Sequence, residues 1–270
     1  MRKAAKWVAV LIGFYLLSAS MIYFIQEKLI FLPTKLPLDY QYEFDHSFEE
    51  IFLEANDGAR LNALHFKSSD PKGVILYFHG NAGNLARWGE IATSFVDMDY
   101  DVVIMDYRTY GKSKGTLSEQ ALIDDGQLFY DYVLSQYQEE QLILYGRSLG
   151  TGIATKLAAE NNPAKVLLET PYYSLLDIAE SRFPYLPVKR LLKYQFKSFE
   201  NVRDINCRIS VFHGTSDEVI PLDSGRRLYE SIPGSNKELF VVPGGQHNNL
   251  AAFKEYRVGI SEVLAPSLIK

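Results

Sequence analysis

A serine within a short glycine-flanked motif is the residue of this chain best placed for nucleophilic chemistry. Ser148 is the central residue of Gly146-Arg147-Ser148-Leu149-Gly150, which follows an apolar run and precedes a stretch of helical character. A sharp strand-to-helix turn of this kind lifts the serine Oγ above the edge of a sheet, and the flanking glycines remove side chains that would clash there. The motif therefore predicts Ser148 as a nucleophile and the backbone N–H of Leu149 as a donor to a developing oxyanion.

The same pattern occurs a second time, at residues 111–115, with Ser113 at its centre. This copy starts several residues after the nearest apolar run, and the sequence Thr-Leu-Ser-Glu at 116–119 has the spacing of a capping box that begins the next helix. We therefore expect Ser113 to lie in a structural loop, and we prefer Ser148 as the nucleophile.

A nucleophilic serine needs a general base, and the base needs an acid that orients it. His247 lies in a loop after the last apolar run, from which its side chain can reach the carboxyl edge of a sheet. Asp217 follows the penultimate apolar run and is the preferred acid, with Glu218 as its rival. The remaining histidines close earlier apolar runs or lie in the N-terminal region: His46, His65, His79 and His213. The sequence therefore predicts a Ser-His-Asp triad.

A second oxyanion donor is expected from the loop 79–84, His-Gly-Asn-Ala-Gly-Asn, which follows the first apolar run of the predicted central sheet. Its glycines allow the backbone to come close to a reacting group. We assign the donor to the backbone N–H of Asn81. The alternative is that the loop forms only a tight turn.

Short apolar runs must supply the strands that position these residues. They cover residues 74–78, 102–105, 142–145, 166–168, 209–212 and 239–242. Near-continuous apolar runs are typical of parallel strands buried on both faces, and helical stretches such as 119–136 and 222–231 separate them. Before them, residues 47–55 and 60–66 flank a turn and predict an antiparallel hairpin. The predicted fold class is α/β, with a mostly parallel, doubly wound sheet.

Residues 171–206 interrupt the sheet order, and we refer to them as the lid segment. The stretch 188–199 within it has a basic amphipathic pattern that predicts a helix. Its apolar face would consist of Val188, Leu191, Leu192, Phe196 and Phe199. Such a helix either packs on its own domain with solvated lysines or lies on a membrane surface, and the first alternative is preferred.

The N-terminal residues 7–25 are apolar and uncharged. A run of about 19 residues is close to the length needed to cross a bilayer, so we predict a membrane anchor over residues 1–30, followed by a hydrolase domain over 31–270. The alternative is a signal peptide cleaved after the small residues 18–20. The basic flank before the segment predicts a cytoplasmic N-terminus and a non-cytoplasmic catalytic domain, periplasmic or extracellular.

The charge and cysteine content exclude other classes of protein. A formal net charge of −5 is unlike a nucleic-acid binder, which usually carries a basic surface. The single cysteine, Cys207, has no internal disulfide partner, and there is no cluster of Cys and His that would form a zinc site. Phosphate-binding and dinucleotide-binding glycine motifs are also absent from the sequence. We therefore expect no metal and no cofactor.

From Phe31 onward the chain resembles the α/β-hydrolase-domain family of membrane-anchored serine hydrolases, a group that includes protein depalmitoylases and bacterial relatives. The residues that carry the resemblance are the loop 79–84, Asp106-Tyr107-Arg108 with Tyr110-Gly111 and Ser113, the motif 146–150, His213-Gly214 with Asp217 and Pro221, and His247. Thr109 stands where the family usually has glycine, which affects a structural loop and leaves the triad intact.

The resemblance implies the α/β-hydrolase fold and a serine hydrolase that cleaves ester or thioester bonds of a small or lipid-like acyl substrate. A peptidase uses the same triad and differs only in its acyl pocket and lid segment, so it is the main alternative. A third class is a binding protein that kept the fold and lost activity. The retained triad residues and oxyanion loops argue against that class.

Overall fold

A computed structural model describes residues 2–265 of the 270-residue chain. The strands are β1 (Leu32–Pro33), β2 (Phe48–Glu54), β3 (Arg60–Phe66), β4 (Val74–Phe78), β5 (Ala82–Gly83), β6 (Asp101–Met105), β7 (Leu142–Arg147), β8 (Lys165–Glu169), β9 (Arg208–Gly214) and β10 (Lys237–Val242). The helices are α1 (Arg2–Ile30), α2 (Leu85–Val96), α3 (Glu119–Leu134), α4 (Gly150–Glu160), α5 (Leu175–Arg182), α6 (Val188–Leu191), α7 (Ser198–Asn201), α8 (Leu222–Ser231) and α9 (Lys254–Leu264).

The main sheet has eight strands in the order β10-β9-β8-β7-β4-β6-β3-β2. The pairs from β10 to β6 are parallel, whereas β3 pairs antiparallel with both β6 and β2. Helices cover both faces, and a separate hydrophobic core lies on each face. The predicted α/β class, the mostly parallel sheet and the N-terminal hairpin are confirmed.

The central strands are fully buried, whereas the edge strand β10 is not. Strands β4, β6 and β7 are buried throughout, as their sequences predict. Strand β10 is only half-buried up to its last residue, Val242, so the expectation of burial on both faces is wrong there. The reason is its place in the sheet, because β10 pairs with β9 on one side only.

Helix α1 is unbroken and covers the segment for which the sequence predicts an anchor. Its stretch Lys3–Ile30 has a mean hydropathy of 2.2 in its most apolar window, of which 6% is buried, so it is long and apolar enough to cross a membrane. The last turns of α1 pack against the rest of the protein. There the Gln26 side chain is only 3% exposed and makes hydrogen bonds to the lid segment.

The lid segment does not contain the helix predicted over 188–199. Helix α6 ends at Leu191, Leu192 is extended, and Phe196 has a positive φ of 36° with its ring buried. The backbone N–H groups of Lys193 and Gln195 are bound by distant side chains instead of helical carbonyls. These side chains are Gln26 on α1 and Glu119 on α3. The helix prediction was wrong because these long-range bonds replace the helical ones.

The residue that caps the N-terminus of α3 differs from the one that the capping-box pattern predicts. The helix begins at Glu119 as expected, but Ser118 is its N-cap, with Oγ accepting from Ala121 N at 3.0 Å. The predicted capping box would place the cap at Thr116. Glu119 cannot complete that box, because its carboxylate accepts the backbone N–H groups of Gln195 and Phe196.

Candidate active site

The Ser148 motif forms a strained turn between β7 and α4. Ser148 has a φ of 50°, a left-handed conformation that is uncommon for any residue except glycine. The neighbouring glycines are required by crowding, since a Cβ at Gly146 would lie 2.7 Å from the Thr151 Cα and one at Gly150 would lie 2.0 Å from the Phe78 carbonyl oxygen. The turn therefore holds Ser148 at the carboxyl end of β7, as the motif predicts.

Ser148, His247 and Asp217 form a continuous hydrogen-bond chain. The distance from His247 Nε2 to Ser148 Oγ is 2.9 Å, and the distance from His247 Nδ1 to Asp217 Oδ2 is 2.7 Å. Because an ionised carboxylate only accepts, Nδ1 is the donor to Asp217, and Nε2 is left to accept from the Ser148 hydroxyl. The rival acid Glu218 is exposed and makes no such contact with His247 within residues 2–265.

The Asp217 carboxylate is buried and surrounded by donors. Its Oδ1 accepts the backbone N–H groups of Val219 and Ile220 at 2.8 and 2.9 Å. Burial alone would raise the pKa of Asp217, but the hydrogen bonds from His213, His247 and Ile220 outweigh it and hold the pKa well below its usual range. The group is therefore a permanent anion at neutral pH, as an acid that orients a histidine must be.

The two predicted oxyanion donors border the same cavity as Ser148. Leu149 is the N-cap of α4, and in the described part of the chain neither its N–H nor that of Asn81 donates to a protein group. Asn81 is held in place by its other groups, since its Nδ2 donates to Ile30 O at 2.9 Å and its carbonyl accepts from Tyr110 Oη at 2.6 Å. Two free backbone donors beside a serine can bind an anionic oxygen.

The second serine motif has a structural role. Ser113 is buried, its Oγ donates to Asp106 O at 2.8 Å, and it accepts from Asn62 N at 2.8 Å. It therefore lies in a loop that it braces, as expected. In the same loop Thr109 has a φ of 75° and a buried hydroxyl that finds no hydrogen-bond partner among residues 2–265. The usual glycine of the family suits this left-handed position better.

Two residues that the motifs did not single out connect the parts of the site. Arg147 Nε lies 3.3 Å from Glu169 Oε1, and an Arg147 Nη atom lies 3.4 Å from both the His247 carbonyl and Asn248 Oδ1. Glu169 also accepts the Ser148 N–H with its backbone carbonyl at 2.9 Å. Arg147 thus joins the serine turn to the histidine loop. The only sequence signal for it is its position directly before Ser148.

A cavity of about 280 Å³ opens beside Ser148 and is mostly apolar. Its wall comes from three places: the end of α1, the loops that carry Asn81 and Ile220, and the lid segment from Tyr172 to Leu192. No Asp or Glu of the described residues lines it, and Arg182 is its charged member.

Other reactive groups lie outside this arrangement. Burial raises the pKa of the Cys207 thiol to about 11, so the thiol stays protonated at neutral pH and is a poor nucleophile. Among residues 2–265, no group of three or more His, Cys, Asp or Glu side chains is arranged to hold a metal ion.

Comparisons with known proteins agree with this architecture. A family profile described as serine aminopeptidase, S33, matches residues 69–193. An uncharacterised protein of Mycobacterium tuberculosis is 30% identical over 241 residues, which cover 87% of this chain and 85% of that protein. Lysophosphatidylserine lipase ABHD12 of Danio rerio is 29% identical over 259 residues, which cover 76% of this chain and 66% of the lipase. The Pyrococcus furiosus esterase Pf2001 has the same fold, with a TM-score of 0.68 at 18% identity, over 86% of this chain and 98% of the esterase.

These findings define the class of the protein. The chain belongs to the α/β-hydrolase-domain family, and it is a hydrolase with esterase and lipase neighbours.

Proposed function

We propose that this hydrolase is a serine esterase or thioesterase that acts on acyl substrates. Ser148 is the nucleophile, His247 the general base and Asp217 the acid that orients it. The observation that carries the proposal is the hydrogen-bond chain from Asp217 through His247 to Ser148, which ends at the wall of an apolar cavity.

The proposed reaction passes through an acyl-enzyme. His247 Nε2 takes the proton of Ser148 while Oγ bonds to the acyl carbon, and the oxyanion accepts from the Leu149 and Asn81 N–H groups. The bond from the acyl carbon to the leaving oxygen or sulfur then breaks, and His247 gives its proton to the leaving group. Water then attacks the acyl carbon while His247 takes its proton, the bond from the acyl carbon to Oγ breaks, and His247 returns the proton to Ser148 as the carboxylic acid leaves.

The composition of the cavity favours an acyl chain over a peptide. Each buried methylene contributes about 0.8 kcal/mol, whereas an amide buried without a partner costs about 1–3 kcal/mol. A wall with few polar groups therefore binds the chain better. The relative named a lysophosphatidylserine lipase supports the same substrate class.

Aminopeptidase activity is the second candidate, because the matching family profile carries that description. An aminopeptidase must bind the positively charged N-terminus of its substrate, for which a carboxylate is the usual partner. The described residues place no carboxylate on the cavity wall. This argues for the esterase.

The test is a comparison of kcat/KM on the full-length enzyme in detergent, because α1 lines the cavity. The substrates are p-nitrophenyl esters of increasing chain length on one side and aminoacyl and prolyl amides on the other. We expect the esters to give the higher values, with an optimum at short to medium chains. A higher kcat/KM for any amide would move the protein to the peptidase class.

We further propose that α1 anchors the protein with its N-terminus in the cytoplasm and the catalytic domain on the other side. The support is the uncharged apolar stretch and the basic residues Lys3 and Lys6 before it. Reporters fused after Pro37 should report a non-cytoplasmic location, and mild alkali should leave the protein in the membrane. Recovery of a soluble form that starts near Met21 would instead support a cleaved signal peptide.

A further inference from the structure

One face of α1 is part of the cavity wall. The residues of α1 that line the cavity are Ile22, Gln26, Leu29 and Ile30. They are spaced by four, three and one positions, which places them on one side of a helix. The helix that is apolar enough to cross a membrane therefore also borders the space beside Ser148.

Hydrogen bonds fasten this end of α1 to the site. Gln26 is almost fully buried, and its Nε2 donates to Leu191 O at 3.0 Å while its Oε1 accepts from Lys193 N at 2.7 Å. Ile30 O accepts from the side chain of Asn81, the residue assigned as an oxyanion donor, at 2.9 Å. The helix end, the lid segment and the oxyanion loop thus form one connected wall.

The length of α1 sets the depth of this wall relative to a bilayer. The stretch 7–26 carries no charge, and at about 1.5 Å per residue it spans about 30 Å, the thickness of the hydrocarbon core. Gln26 then lies at the boundary of the hydrocarbon, and Ile22 lies about 6 Å deeper. A cavity that touches both residues meets the hydrocarbon edge.

The cavity opens where residues of its wall are exposed, and we call this opening the mouth. The cavity-lining residues that are exposed are Leu29, Arg182, Phe183 and Val219. Beside the mouth, Tyr185 is 89% exposed, and residues 181–199 hold five basic side chains and no acidic one. Aromatic and basic side chains together are typical of a surface that contacts the headgroups of anionic lipids.

We propose that the acyl chain of a membrane lipid ester enters this cavity directly from the bilayer, between α1 and the lid segment, and lies against the Ile22 face of α1. The proposal rests on the Ser148 hydrolase function above. The ester C–O bond breaks, and water supplies the hydroxyl of the released fatty acid and the proton of the released alcohol. A cavity of about 280 Å³ lies near the lower limit of about 300 Å³ for ligand sites, so it takes one chain at a time.

The experiment changes the wall without touching the triad. The full-length enzyme is placed in vesicles of phosphatidylcholine and phosphatidylglycerol, and p-nitrophenyl laurate and p-nitrophenyl acetate are compared. In Ile22→Trp the indole adds bulk to the α1 face of the cavity. We expect kcat/KM for laurate to fall about tenfold relative to that for acetate, equivalent to the loss of about two methylene contacts.

Met21→Trp is the matched control, because Met21 is at the same depth on α1 but 59% exposed and absent from the cavity wall. It should leave both substrates within about twofold of the parent. Ile22→Ala, which removes volume and adds none, should move the optimum to longer chains and covers the case in which the tryptophan variant does not fold.

The outcomes separate this inference from the proposed function. Equal losses on laurate and acetate in Ile22→Trp, or an unchanged chain-length profile in both Ile22 variants, would overturn entry along α1. Failure of the parent enzyme to react with a fluorophosphonate would instead overturn the Ser148 function itself.

Discussion

The two sides of the cavity beside Ser148 are built in different ways. On the sheet side, Ser148, Asp217 and His247 lie one, three and five residues after the ends of three parallel strands, and all three are buried. On the other side, helix α6 has only four residues, and α5 buries none of its residues. That side is held by long-range hydrogen bonds, such as those from Gln26 to the lid segment.

The difference separates two tasks of the molecule. Residues that exchange protons must stay within hydrogen-bond distance, and a buried sheet edge keeps them there at little entropic cost. Residues that contact an acyl chain need only apolar surface and shape, and short segments provide both. We therefore expect changes on the sheet side to alter the chemical step and changes on the lid side to alter substrate choice.

The largest effect is expected for Ser148→Ala. Loss of the nucleophile should lower turnover by about 10⁴- to 10⁶-fold and abolish labelling by a fluorophosphonate. Ser113→Ala is the matched control within the second motif, and it should still be labelled. Because it leaves the Asn62 N–H and the Asp106 carbonyl without the Ser113 hydroxyl, it should lower the free energy of unfolding by about 1–3 kcal/mol. Labelling that survives in Ser148→Ala would refute the assignment.

Asp217→Asn should lower kcat by about 10⁴-fold, since an amide no longer holds the imidazole in the required tautomer. Glu218→Gln, one residue away and exposed, should stay within about twofold. Equal losses in the two variants would contradict the choice of acid.

The effect of Asp217→Asn on thermal stability should depend on pH. The pKa of Asp217 is lowered in the folded state, so its ionisation stabilises the fold above the unfolded value of about 3.9, and this contribution is lost as the pH falls toward the folded value. In thermal unfolding, the gap in Tm between the parent and Asp217→Asn should therefore shrink below about pH 4. A gap that widens on acidification would show that the sign is wrong.

Arg147→Met tests the connection between the serine turn and the histidine loop. Removing one partner of a buried ion pair leaves Glu169 uncompensated and should cost about 3–5 kcal/mol of stability. We expect kcat to fall more than KM changes, because the position of His247 is affected and the acyl cavity is not. Arg147→Lys keeps the charge and should recover part of the kcat. If Arg147 acted only through packing, Arg147→Met and Arg147→Lys would lose the same factor in kcat.

The smallest effect is expected on the lid side. Lys189 and Arg190 are exposed on α6, and the double variant to Glu should lower hydrolysis of vesicle-bound laurate about threefold in anionic vesicles and leave it unchanged in detergent. Lys254→Glu on α9 serves as the control. An equal loss in detergent would show that the two basic residues act through the fold and not through the lipid surface.

Most of the parallel strands were predictable because their burial is continuous, and β10 at the sheet edge is the exception. The run 74–78 coincides with β4, and the other parallel strands extend beyond the predicted runs by at most two residues at either end. A strand buried on both faces can be read from the local sequence alone. Helix α8 was also predicted at its observed bounds, since its turn residues and apolar spacing are local.

The candidate site was partly predictable for a similar reason. Glycine spacing and chain order singled out Ser148, Asp217 and His247, which the structure brings within hydrogen-bond distance of one another, and their catalytic role stays a prediction that labelling will test. Arg147 and Glu169 carry no such spacing. Their pairing depends on the register between β7 and β8, which aligns these two residues.

Sequence alone determined the α/β class, the long apolar N-terminal helix and the glycine-framed serine, because each depends on neighbours within about one turn or one strand. Only the tertiary structure decided that residues 188–199 do not form one helix and that α1 lines the cavity. The first depends on Gln26 and Glu119 and the second on Gln26, and the partners of these two residues lie 167 and 76 residues further along the chain. A backbone N–H donates to whichever acceptor the fold brings close to it. An acceptor so far away in the sequence cannot be predicted from a local pattern.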